Sequence, residues 1–109
     1  MPKTNKNNVA AASVPYESDL YARLRDDDEL ALAYLVEALQ DEDPQVFVLA
    51  LKDVIDAKNV NISRLAEEAG LHRVTVHRML SEDSSPAWKS VVKLVKNMGY
   101  QFTIDRAAS

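Results

Sequence analysis

Seven side chains between positions 72 and 81 are the ones in this 109-residue chain best suited to chemistry: His72, Arg73, Val74, Thr75, His77, Arg78 and Ser81, none of them acidic. Arginine can donate two parallel hydrogen bonds to guanine, and the methyl groups of threonine and valine can meet the methyl of thymine. The start of a helix also offers backbone N–H groups to a phosphate. Spacing sorts these residues further. Arg73 and His77 lie four apart, as do Val74 and Arg78, so the two pairs occupy adjoining faces of one helix. The pattern predicts Arg73, Thr75, His77 and Arg78 facing the major groove of double-stranded DNA. Arg73 and Thr75 would read bases, Arg78 a base or a phosphate, and His72 would lie near a phosphate. Lys89 and Lys93 are weaker phosphate candidates, because a solvated helix face explains them equally well.

Other chemistries find less support. The run Asp26-Asp27-Asp28-Glu29 reads as favourable charge at a helix start rather than as a metal site, since consecutive carboxylates on a helix point in different directions. His72 and His77 are five apart, on different sides of a helix, and zinc would need further ligands nearby. With no cysteine there is no disulfide, thiolate site or cysteine nucleophile. Two glycines cannot build a glycine-rich phosphate loop, and no tyrosine or serine stands beside an obvious base. The chain reads as a binding protein rather than an enzyme, with neither metal nor cofactor.

The elements that would position the exposed set come next. A helix-turn-helix places two short helices at about 90–120° around a tight turn. It needs a small residue midway along the first helix, which is Ala66, and a residue without Cβ at the turn, which is Gly70. Leu65, Ala69, Leu71, Val76 and Met79 stand at the spacings that would pin the crossing angle. An ordinary αα-hairpin explains this buried set as well, but not the basic exposed one.

Around the pair, residues 1–14 are polar and aperiodic and read as a disordered tail. Tyr16, Leu20, Tyr21 and Leu24 are at helical spacing, and so are apolar residues 31, 34, 35, 38 and 39. Asp43-Pro44 reads as a cap and first turn ahead of the stripe Phe47, Ala50, Leu51, Val54 and Ile55. Asn61 or Ser63 can cap the helix before Gly70. Ser85-Pro86 reads as the start of a last helix ending at Gly99, with the Trp88 ring in the core of the monomer. Tyr100, Phe102 and Ile104 alternate with polar residues, so a short strand is expected if it finds a partner. The expected fold is all-α, with five to six short helices. Its parts are the tail 1–14, an acidic helical segment 15–42 and a helix-turn-helix domain 43–105.

The net charge of −4 is unevenly placed: residues 1–42 hold four basic and nine acidic side chains, residues 43–109 nine basic and eight acidic. A local basic face can bind phosphates on an acidic molecule. No apolar run approaches the roughly 18 residues that span a membrane, and the start has no signal-peptide pattern. A cytoplasmic protein without membrane contact is expected.

The order from "YLVEALQDEDPQVFVLALKDVIDAKNVNISRLAEEAGLHRVTVHRML" through a loop ending in Pro86 to "NMGY" resembles the addiction-module antidote proteins, HigA-like antitoxins with a helix-turn-helix of phage-repressor type. The likeness covers roughly residues 20–104. It rests on Tyr34-Leu35, Ala38-Leu39, Asp43-Pro44, Ala50-Leu51, Leu65-Ala66, Gly70-Leu71, Arg78, Leu80 and Pro86. It implies autorepression of a shared operon and a RelE/HigB-like toxin as partner. Two departures from the family pattern stand out: His72 stands where serine is usual, and Ser84-Ser85-Pro86 replaces Gly-Asn-Pro. A homodimer is expected, joined near the last helix or the strand, because operators usually engage two reading helices. The acidic stretch 16–42 is expected to meet the toxin. A stand-alone prophage-type regulator and a helical adaptor that binds no DNA are the competing readings.

Overall fold

A computed structural model describes residues 15–108, with side chains from residue 19 onward; the expected tail 1–14 lies outside them. Within them the chain is all-helical. α1 is Pro15–Asp26, α2 Asp28–Leu39, α3 Pro44–Ala57, α4 Ile62–Ala69, α5 Arg73–Met79 and α6 Trp88–Asn97. Two compact units divide between Val60 and Asn61. In the first, α1, α2 and α3 all pack on one another; in the second, α4 packs on both α5 and α6. From sequence, α3 is expected to belong with the elements after it, beyond a boundary at 42/43. The apolar stripe of α3 instead faces α1 and α2, which places α3 with the acidic segment.

The first unit's boundaries follow from its caps. Asp27 adopts extended backbone, and its carboxylate accepts from the Leu30 N–H, so the acidic run divides between the end of α1 and the start of α2. Asp43 caps α3 in the same way through the Gln45 N–H, with Pro44 in the first turn. Phe47, Ala50, Leu51, Val54 and Ile55 are all buried, joined by Leu24, Ala31, Leu35 and Ala38 from the other two helices. Leu39, expected on the same face of α2, is exposed instead.

Three helices end in one device. Asn59, Gly70 and Gly99 have positive φ (54°, 72° and 94°) after α3, α4 and α6. In each case the next N–H reaches back five residues: Val60 to the Ile55 carbonyl, Leu71 to Ala66, Tyr100 to Val95. These are Schellman closures, which satisfy carbonyls that a helix end would otherwise leave bare. Both glycines of the chain serve this purpose, and an asparagine does so at the third site.

The last helix differs from expectation. It begins at Trp88 with Ala87 as its cap residue, and no side chain caps it. Ser85, the expected cap, is exposed and does not cap α6; its neighbour Ser84 donates its hydroxyl to the Met79 carbonyl, at 2.6 Å, and so closes the end of α5. The expected strand over 100–105 does not form among the described residues; residues 100–108 lack regular structure. An alternating pattern supplies one apolar face but no neighbouring edge to pair with. The Trp88 ring is also outside the core, 63% exposed, and lies over Phe102 with ring centroids 4.8 Å apart.

Candidate nucleic-acid interface

The pair α4–α5 is built from the turn outward. Asn61 caps α4 through the Arg64 N–H at 3.0 Å. Ala66 and Ala69 are small and buried, and Leu65 is buried with them. Gly70 then takes the left-handed conformation that a Cβ would disfavour, which ends α4 within one residue. Only Leu71 and His72 separate it from α5. Leu71 is half-buried, while Val76, Met79 and the following Leu80 are buried. The residues singled out for packing thus line the inner side of the pair.

The outer side carries the residues singled out for chemistry. His72, Arg73, Val74, His77, Arg78 and Ser81 are exposed, Val74 to 60%; Thr75 is half-buried. His72 stands at the cap position of α5 without a side-chain hydrogen bond; histidine is a poorer cap than serine. The Ser81 hydroxyl donates to the Arg78 carbonyl at 2.7 Å, so it serves the helix end as well as the surface. His77 and Arg78 fall in the last turn, where the Arg78 cation complements the helix dipole.

The ion pairs distinguish the two units. In the first, every described cation is engaged: Arg23 with Asp19, Arg25 with Asp26, Lys52 with Asp56 and Lys58 with Asp28. In the second, among the described residues, Arg64, Arg73, Arg78, Lys89, Lys93, Lys96 and Arg106 make no ion pair. That unit keeps its positive charge uncommitted. Lys96 adds to the earlier candidates, since 89, 93 and 96 follow a four-then-three spacing along one face of α6. The spacing was visible in the sequence; the absence of acidic partners was not.

A polar node in the first unit went unseen in the sequence. The Tyr21 hydroxyl donates to Asp53 Oδ1 at 3.0 Å and the Tyr34 hydroxyl to Oδ2 at 2.6 Å. One carboxylate on α3 therefore ties down both α1 and α2. Separations of 32 and 19 residues leave no local pattern by which to find it. Three residues of the acidic run are likewise accounted for: Asp26 takes Arg25, Asp27 caps α2, and Asp28 takes Lys58 at 2.6 Å; Glu29 stands in the first turn of α2. Among the described residues, no three histidines or carboxylates are grouped as a metal ion would require, and no helix is long and apolar enough to cross a membrane.

The described residues form a small all-helical protein, with an acidic three-helix unit and a second unit whose cations make no ion pair. The chain belongs to the addiction-module antidote family: a family model described as "probable addiction module antidote protein" matches residues 17–106. An uncharacterized protein of Haemophilus influenzae is 30% identical over 89 residues, which are 82% of this chain and 89% of that one. No solved structure matches the chain. Membership carries the antitoxin role in general, and with it a toxin as partner.

Proposed function

We propose that this antidote is HigA-like and that α4–α5 is a helix-turn-helix of phage-repressor type, with α5 as the helix that reads double-stranded DNA. On this reading the protein is a cytoplasmic homodimer that represses its own operon and neutralises a RelE/HigB-like toxin. It acts by binding, not by catalysis. The observation that carries the reading is the outer face of α5. Arg73 and Arg78 are exposed and make no ion pair among the described residues, while Val76 and Met79 anchor the opposite face. Unpaired guanidinium groups on a rigid, docked helix lose little on meeting a base edge or phosphate, because no internal bond must first break.

The test is a mobility-shift titration with the operon's own promoter at one fixed salt concentration, repeated with the neighbouring gene product. Arg73→Ala is expected to weaken cognate binding by about 1–3 kcal/mol and binding to random DNA less. Arg73→Ala and Arg78→Ala proteins that remain folded and bind the promoter as tightly as the parent would leave α5 without a reading role. The adaptor reading would then take its place.

A further inference from the structure

We propose that the groove between α2 and α3 is the docking site for a cationic, amphipathic segment of the partner toxin. The inference rests on the antidote reading and adds the surface to it. The groove is open to solvent and measures about 620 Å³, and its lining includes Glu37, Asp41, Asp53, Val46, Leu49 and Ala50, with no basic residue. Val46 and Leu49 are 36% and 37% exposed, three apart on one face of α3, so a ridge of apolar surface stays in water beside carboxylates.

The charge there is not compensated from within. The described cations of this unit are taken up elsewhere, by Asp19, Asp26, Asp56 and Asp28. The Glu37 carboxylate makes no ion pair or hydrogen bond among the described residues; its backbone carbonyl accepts from the Gln40 N–H in closing α2. Asp41 accepts only a backbone N–H, that of Asp43. Asp53 is held by two tyrosine hydroxyls, which orient its charge without neutralising it. An apolar ridge flanked by uncompensated carboxylates is complementary to an element with lysine or arginine beside an aliphatic side chain. It repels a phosphate backbone, so nucleic acid is not the occupant. The partner of an antidote is a protein, and a helix or strand edge of that protein meets these requirements.

The experiment measures binding of the adjacent gene's product to the full-length antidote by calorimetry, with promoter binding followed in parallel. The variants are Glu37→Arg, Glu37→Gln and Leu49→Gln, with Glu29→Gln as a control on α2 outside the groove. Circular dichroism of each shows whether the helices persist. Glu37→Arg and Leu49→Gln are expected to weaken toxin binding at least roughly tenfold and Glu37→Gln less. Glu29→Gln and promoter binding should stay as in the parent. The affinity of the parent should fall with added salt, and that dependence should shrink in Glu37→Gln. Folded Glu37→Arg and Leu49→Gln proteins that bind the toxin like the parent overturn the groove as the site while leaving the antidote reading intact. A parent chain that binds no adjacent gene product overturns the antidote reading, and the groove's assignment with it.

Discussion

At position 72 a histidine occupies a place that a helix start would rather give to serine, threonine, asparagine or aspartate. It leaves α5 without a side-chain cap. His72→Ser should therefore raise stability by about 0.5–1 kcal/mol, read as a higher melting temperature by circular dichroism. Gly70 is the opposite case. An added Cβ would meet nothing within 4 Å, so the cost of Gly70→Ala is conformational, not steric. Left-handed backbone costs an L-residue about 1–2 kcal/mol, and urea denaturation should show a loss of that order. Gly70→Asn should lose less, since Asn59 already adopts this conformation. Arg25 hydrogen-bonds Asp26 and so holds its carboxyl below the usual carboxylate range. Because the folded value is the lower one, the pair's support is present above the ordinary range near 3.9 and is lost as pH falls through the lowered value. Arg25→Gln should return the Asp26 midpoint to the ordinary range in an NMR titration. Both turn glycines and the Asp43 cap were legible, because their roles are local. The uncapped α6 was misread: Ser85 has the right chemistry for a cap, but Trp88 begins the helix three residues on, with Ala87 in the cap position.

Among the elements, helices with a strong 3.6-residue stripe were legible, and contacts between helices were not. The α3 stripe at 47, 50, 51, 54 and 55 is wholly buried because its period states which face turns inward. What that face packs against is a tertiary fact, and α3 was assigned to the wrong neighbours for that reason. The strand expected at Tyr100–Ile104 failed similarly: a period of two describes a face, whereas a ladder needs a second edge. Ile104 is 99% exposed as a consequence. The Tyr21–Asp53–Tyr34 node is the clearest unseen contact. Losing a hydrogen bond to a charged acceptor costs about 1.5–3 kcal/mol when shielded, and the partial exposure of this one puts Tyr34→Phe near the lower end. Tyr21→Phe and Tyr34→Phe share one carboxylate, so their effects should not add. A double-mutant cycle by urea denaturation measures the coupling; strict additivity would mean that Asp53 holds the two helices independently.

At the scale of the whole molecule, the net charge of −4 conceals a division of labour: acidic side chains and their ion pairs gather before residue 60, unpaired cations after it. A cut after Val60 is therefore the one that leaves α3 with α1 and α2, whereas deleting residues 1–42 would strip its buried stripe of cover. The same division makes salt the most informative variable for DNA binding. Each cation that neutralises a phosphate contributes about 0.9 to the slope of log affinity against log salt. Lys89, Lys93 and Lys96 run along one face of α6. If they meet the backbone, replacing one with alanine weakens cognate and random DNA alike. The slope then reports the number of chains bound. A dimer on two half-sites carries two copies of each lysine, so Lys89→Ala should lower the slope by about two, against about one for a single chain. Arg73→Ala should differ in kind, with a larger loss on the cognate site than on random DNA. Slopes unchanged in all three lysine variants would mark this face of α6 as merely solvated, and a drop of about one would count against the homodimer.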